Sequence, residues 1–258
     1  MLNIIQYILV FILGLAIGSF LNVCVWRKRK NISVIQGRSM CPNCQVFISW
    51  FDNIPLLSFI LLRGKCRKCF KKISWQYPII ELITGLLFLF IAWWHQQQNI
   101  FLNLEMIRDW LIVSFLIFIF VYDLKYKEIL TLPVWFLSAL LFIFSLFTGW
   151  NIWYKMLIGA LVGSGFFFFQ YIISKGKWIG GGDVRLGFLL GIILGWPNIL
   201  LALFVSYILG ALSGLYLIIK NKKNMKSEVP LGVYLTIGTF VTMFWGEKII
   251  KWYISFLK

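Results

Sequence analysis

The chain has 258 residues, of which 60% are apolar and 19% aromatic, and its mean hydropathy is +0.85. A soluble core of this size has no need of that much apolar surface. The formal net charge of +16 invites a nucleic-acid reading, but the basic residues sit in loops between apolar runs and form no continuous stripe, which points to membrane topology and excludes nucleic acid as a partner.

The first apolar run, Ile4 to Trp26, has no preceding basic residue and no small-residue cleavage signature, and it ends at Arg27, Lys28, Arg29 and Lys30. It reads as an uncleaved anchor. The stretch from Arg27 to Tyr77 is the one connection long enough for a small soluble subdomain. It carries Cys41-Pro-Asn-Cys44 and Cys66-Arg-Lys-Cys69, two CxxC pairs separated by 21 residues. That is the spacing of a four-thiolate zinc ribbon, a closed tetrahedral site with a structural role. Metal binding then supplies folding free energy, on the order of 10 kcal/mol in small zinc modules. Disulfides or a thioredoxin-like redox motif are the alternatives; the first is disfavoured in a reducing cytoplasm, and the second lacks its βαβ context. Cys24, inside the first span, has no partner at ligand spacing and reads as a packing residue.

A second span is expected over roughly 78–94, with Glu81 about one turn inside it and the only histidine, His95, at its far end. Glu81 is either a snorkelling surface acid or a site residue near the two aspartates Asp123 and Asp183. Third, fourth and fifth spans follow at about 109–124, 131–149 and 155–174. The third ends in Phe-Val-Tyr-Asp123-Leu-Lys. After the fifth, Gly180-Gly181-Gly182 leads into Asp183; glycines there let the backbone take conformations closed to other residues and approach a neighbouring helix or a substrate strand. The sixth span, about 186–196, is short and followed by Pro197, so it is either a partial span or a helix kinked through the proline. The last two lie near 199–219 and 231–247.

With the N-terminus outside, 20 of the 25 basic residues fall in inner loops, leaving Arg108, Lys155, Lys248, Lys251 and Lys258 outside. This is the asymmetry of the positive-inside rule, and it puts both the cysteine loop and the two aspartates on the cytoplasmic side. The expected architecture is an all-α integral membrane protein of about eight transmembrane helices, divided into a first transmembrane helix (1–26), a cytoplasmic zinc-ribbon-like loop domain (27–77) and a polytopic membrane domain (78–258).

Among nine acidic residues, Asp123 and Asp183 both fall at the cytoplasmic membrane face. Two carboxylates brought together in a poorly hydrated site share a proton and can act as base and acid on one water, the chemistry of aspartic proteases. The bland reading makes them ordinary juxtamembrane charges balanced by Lys125, Lys127 and Arg185; residue chemistry alone leaves both open. A Ser-His-Asp triad or a histidine-bound catalytic zinc is harder to build around His95, and there is no HExxH.

Several blocks together resemble one family. They are Gly18-Ser-Phe-Leu-Asn-Val23, Cys41-Pro-Asn-Cys44 followed by Ile48-Ser-Trp-Phe-Asp-Asn-Ile-Pro-Leu-Leu-Ser58, Leu62-Arg-Gly-Lys-Cys-Arg-Lys-Cys69, Ile73-Ser-Trp-Gln-Tyr-Pro78, Glu81-Leu-Ile-Thr-Gly85, Asp123-Leu-Lys125 and Gly180-Gly-Gly-Asp-Val-Arg-Leu-Gly187. In this order, over nearly the whole chain, they are similar to the bacterial prepilin peptidases, the type IV leader peptidase and N-methyltransferase family of GxGD-type membrane aspartyl peptidases. The resemblance implies catalytic roles for Asp123 and Asp183. It implies cleavage of prepilin or pseudopilin precursors after the glycine of a short basic leader, at the cytoplasmic face of the bacterial inner membrane. It further implies S-adenosylmethionine-dependent N-methylation of the new terminal residue, with no donor-binding residue assignable. The chain departs from the family where Arg27 begins a Lys-rich run without an early proline, and where Ile129 is followed by Leu130.

Two other classes compete. A proton- or metal-coupled transporter would use the same acids as a relay but should hold them near the bilayer midplane. A zinc-binding membrane scaffold would tolerate loss of both aspartates.

Overall fold

The computed structural model describes residues 4–34, 36–97, 103–220 and 230–256. Lys222, Lys223, Lys226, Glu228 and Lys258, which entered the charge reading above, lie outside them. The described residues form nine α-helices, one short 3-10 helix (Trp50–Asn53) and no strand: α1 (Ile4–Arg29), α2 (Leu57–Leu61), α3 (Gln76–Gln97), α4 (Leu104–Tyr126), α5 (Thr131–Thr148), α6 (Trp153–Ser174), α7 (Gly181–Leu194), α8 (Asn198–Ile219) and α9 (Leu231–Ser255). The all-helical membrane architecture is as expected, and each of the eight expected spans falls on one helix. Breaks come where the backbone demands them. Gly149 (φ +64) and Lys175 (φ +50) close α5 and α6 in the left-handed region, while Pro197 and Pro230 directly precede α8 and α9.

Five helices, α1, α3, α5, α6 and α8, are long and apolar enough to cross a bilayer. The other three reach the same fold by different means. α4 carries Glu105, Arg108, Asp109, Asp123 and Lys125. α9 is interrupted by glycine and threonine and carries Glu247 and Lys248. α7, with 14 residues, is about 21 Å long against a hydrocarbon core of about 30 Å. It stops at Leu194, so the chain does not continue as a kinked helix through Pro197.

The chain divides into two compact units, Met1–Phe118 and Ile119–Lys258, with the division inside α4. In the first, α1 and α3 pack at very close range: an added Cβ on Gly14 would lie 2.7 Å from the Gly85 Cα, and one on Gly18 would lie 2.8 Å from the Glu81 Cα. Small residues let two backbones approach where no hydrophobic force draws helices together. Near the far end of α3, His95 Nε2 meets Asp109 Oδ2 at 2.8 Å and Arg108 meets Asp109 Oδ1 at 2.7 Å, all three groups being buried. Phe88 stacks on Trp110, with ring centroids 5.2 Å apart.

In the second unit α7 is the centre. It packs against α5, α6, α8 and α9, and Leu186, Leu189, Leu190 and Ile192 are fully buried. Its shortness follows from this position, because a helix apolar on every side is a core element. α6 and α7 meet through facing Gly-x-x-x-Gly pairs, Gly159/Gly163 and Gly187/Gly191; an added Cβ on Gly187 would lie 2.5 Å from the Gly163 carbonyl oxygen. The start of α7 is held at a fixed depth against α6, and this positions the site.

Candidate active site

Asp123 sits in the last turn of α4 and is 4% exposed. Its Oδ2 accepts the Val233 N–H at 3.2 Å. Val233 belongs to the first turn of α9, where backbone N–H groups lack intrahelical partners and the helix dipole favours an anion. An added Cβ on Gly232 would lie 2.8 Å from that same oxygen, so only glycine lets α9 approach so near. α4 itself ends one turn later, with Lys127 in the left-handed region (φ +52) donating its N–H to the Asp123 carbonyl at 2.8 Å. The missing proline after Ile129 thus leaves a well-formed helix end.

Asp183 is the third residue of α7, and its Oδ2 accepts the Gly180 N–H at 3.1 Å. Each aspartate is therefore seated at a helix N-terminus, one at its own and one at a helix 110 residues further along. The two carboxyls are near enough for the Asp123 charge to bear on Asp183. Arg185, a candidate counter-charge, instead hydrogen-bonds the Thr131 Oγ1 at the start of α5.

The glycine triplet acts through space and not through unusual dihedrals. Gly180 is extended (φ −79, ψ 154), and none of the three is among the positive-φ glycines. At Gly182 an added Cβ would lie 2.9 Å from the Ile129 Cβ, whereas at Gly181 it would meet nothing within 4 Å. One glycine permits the approach of residue 129 and its neighbour leaves an opening.

The four cysteines of the loop also come together. Their sulfurs all lie within 4.8 Å of one another, with Cys41 and Cys69 at 3.9 Å, close to the edge of about 3.8 Å that a tetrahedron with metal–sulfur bonds of about 2.3 Å requires. The two halves are copies of one knuckle. A bridge pairs Met40 with Phe47 in the first and Lys65 with Lys72 in the second. Cys41 and Cys66 donate N–H bonds to Val46 and Lys71, and Gln45 and Phe70 each turn in the left-handed region. The Cys69 amide, with help from that of Lys68, lowers the Cys66 thiol to about 7 against its burial, whereas, despite the Lys71 amide, burial and the three neighbouring sulfurs push Cys69 up to about 11, so the crowded thiols share a charge that a bound cation would relieve. The donor set fits a metal ion.

Comparison with known proteins now bears on the chain as a whole. Residues 12–95 match the bacterial peptidase A24 N-terminal domain, and residues 110–215 match the type IV leader peptidase family. A prepilin leader peptidase/N-methyltransferase of Legionella pneumophila is 30% identical over 97% of this chain and 95% of its own length. The protein of that name from Aeromonas salmonicida is 32% identical (96% and 93%), and that from Bacillus subtilis 30% (96% and 97%). The chain belongs to the type IV leader peptidase family. No solved structure matched it. Membership gives no support to a transporter.

Within this leader peptidase two residues have roles that their sequence context left open or hid. Glu81 is buried, so it is not a snorkelling surface acid. It accepts the Leu56 N–H at 2.9 Å and so holds Leu56, at φ +59, where the loop turns into α2. Gly232 belongs to none of the sequence motifs. The signal was a glycine two residues after Pro230, inside the first turn of a helix, where it weakens the helix and needs another reason to be present.

Proposed function

We propose that the protein removes the basic leader of type IV prepilin-like precursors and methylates the new N-terminal residue, with Asp123 and Asp183 as the peptidase pair. The observation that carries this is the seating of both carboxyls at helix N-termini within one unit, each using Oδ2 for a backbone amide and keeping its other oxygen for chemistry. One carboxyl is ionised and takes the proton of a water as that water attacks the scissile carbonyl. The other is protonated and gives its proton to the carbonyl oxygen, and the pair then returns a proton to the leaving amine. The opening beside Gly181 lets an extended substrate strand reach the pair.

The substrate class, prepilins or pseudopilins cut after a glycine ahead of an apolar helix, rests on the relatives' names and on the family resemblance. The charge asymmetry of the loops supports an active site at the cytoplasmic face of the bacterial inner membrane with the N-terminus outside, where a substrate helix leaves the bilayer. In functional terms we divide the chain into the first transmembrane helix (1–26), the metal-closed loop (27–77) and the membrane peptidase region (78–258). The metal at Cys41, Cys44, Cys66 and Cys69 is zinc in a structural role, since all four positions are thiolates and none is left open.

S-adenosylmethionine supplies the methyl group when bound. A cavity of about 260 Å³ beside α1 is lined by Ser19, Arg27, Ser39 and Asn53 among others, but its one cation is already engaged and it has no acid to meet the ammonium and sulfonium of that donor. Arg27 is itself anchored there by the carbonyls of Ser33, Val34, Gln36, Gly37 and Arg38.

The decisive experiment incubates the purified protein with a prepilin-like precursor and reads leader removal by mass spectrometry for wild type, Asp123→Asn and Asp183→Asn. Each single variant should lose activity by about 10⁴-fold or more while keeping its melting temperature. With donor added, the wild-type product should gain the mass of one methyl group. Normal cleavage by both asparagine variants would leave the scaffold reading in place of this one.

A further inference from the structure

The module between α1 and α3 exposes an unusual amount of apolar surface for a segment outside the membrane. On α2 the exposed residues are Leu57, Ile60 and Leu61, the last two 68% and 78% accessible. The spacing i, i+3, i+4 puts them on one helix face. Trp50, Phe70 and Trp75 are 70% or more accessible. A monomeric soluble surface does not carry so many large apolar side chains unless something covers them.

We propose that this face of the metal-binding module is seated in the interfacial layer of an anionic bilayer, so that the module is a membrane-surface element. Continuity with the spanning helices comes first. Trp75 immediately precedes α3, a helix of spanning length, which sets its ring at the headgroup level favoured by tryptophan. Phe59 of α2 packs on Trp75 with ring centroids 5.0 Å apart, so the exposed face of α2 is tied to a residue at that level. Charge comes second. Around α2 and the second knuckle, Arg63, Lys65, Lys68, Lys71 and Lys72 are exposed. The one acid between residues 27 and 77, Asp52, is taken by Arg67 in a two-pronged pair at 2.6 and 2.8 Å. Apolar insertion combined with a polybasic rim is the pair of signals that gives stable interfacial binding, each basic residue adding about 1 kcal/mol near anionic lipid. The same rim disfavours a basic leader peptide as the occupant.

The inference rests on the multi-pass membrane architecture and not on the peptidase assignment, so it survives or fails independently of the aspartate variants. The full-length protein is reconstituted in nanodiscs of phosphatidylcholine alone or mixed with phosphatidylglycerol, with p-benzoylphenylalanine in place of Leu61 or, as a control on the tip of the first knuckle, of Gln45. After irradiation, mass spectrometry reads lipid adducts. Position 61 should form them, at about threefold or higher yield in the anionic mixture, and position 45 should form few. Backbone hydrogen exchange over residues 57–62 of the unlabelled protein should slow in the anionic discs, which checks the unmodified chain. Crosslinks from position 61 to the protein itself, absence of lipid adducts in both mixtures, or equal yields in the two would each overturn the proposal.

Discussion

Between α1 and α3 the chain has one buried apolar residue among its described positions, Cys41, and it is held by polar devices: four clustered thiols, the Arg67–Asp52 pair, and Arg27 ringed by carbonyls. The unit that bears the aspartates has the opposite construction. Its central helix is buried on all sides and meets its neighbour at glycine contacts too close for any Cβ. A segment outside the hydrocarbon, too short to bury a core, needs a cross-link, whereas helices already in lipid gain nothing from further apolar burial and depend on shape. The proposed peptidase pair, which needs two carboxyls held in register, belongs on the second kind of scaffold, because close-packed backbones do not yield.

The largest effect expected from this contrast is on metal removal. Stripping the ion with a strong chelator should withdraw on the order of 10 kcal/mol from the module. Trypsin should then cut at the basic residues between Arg38 and Lys72, while helix content measured by circular dichroism changes little. A chelated protein whose loop resists trypsin as before would show that the thiols do not carry the module. Next in size is Gly159→Ala, whose Cβ would lie 2.7 Å from the Gly191 carbonyl oxygen and 2.9 Å from the Gly195 carbonyl carbon, both backbone atoms. Forcing α6 from α7 should cost about 3 kcal/mol, read as a lower melting temperature in detergent. Gly165→Ala on the same helix meets nothing within 4 Å and should be neutral or slightly stabilising. Equal behaviour of the two variants would remove the distinction between a packed and a cross-linked unit.

The legible parts of this molecule were those written in local pattern. Apolar runs broken by glycine, proline and charge located the helices, and two CxxC pairs located the knuckles, because thiol spacing is itself the constraint. Asp183 was visible through the glycines before it. What stayed hidden depends on contacts distant in sequence. No local feature of Phe-Val-Tyr-Asp123 shows that α9 brings its first amides to that carboxyl, and no property of Leu186 to Leu194 distinguishes a short span from a helix buried on every side. Glu81 could be read as a surface acid or a site acid because its partner is the Leu56 backbone amide, and backbone amides leave no mark in a sequence. The glycine triplet invited a conformational explanation, while the structure shows one position wanting closeness and another wanting openness.

The smallest change in stability and the most informative about the site is Gly232→Ala. The new methyl would press on Asp123 Oδ2 at 2.8 Å and on its Cγ at 3.1 Å. Unlike the backbone atoms facing Gly159, these belong to a short side chain that can rotate, so the melting temperature should fall by no more than the equivalent of about 1 kcal/mol. The cost appears instead in function. Rotating the carboxyl withdraws Oδ2 from the Val233 amide and, in the proposed mechanism, shifts its other oxygen away from the attacking water, and a misplacement near 1 Å costs roughly 10²-fold in rate. Leader cleavage by Gly232→Ala should therefore drop by about that factor with kcat affected more than KM, in a protein that melts almost as wild type does. A variant equally stable and fully active would mean that the start of α9 merely neighbours Asp123 and does not aim it.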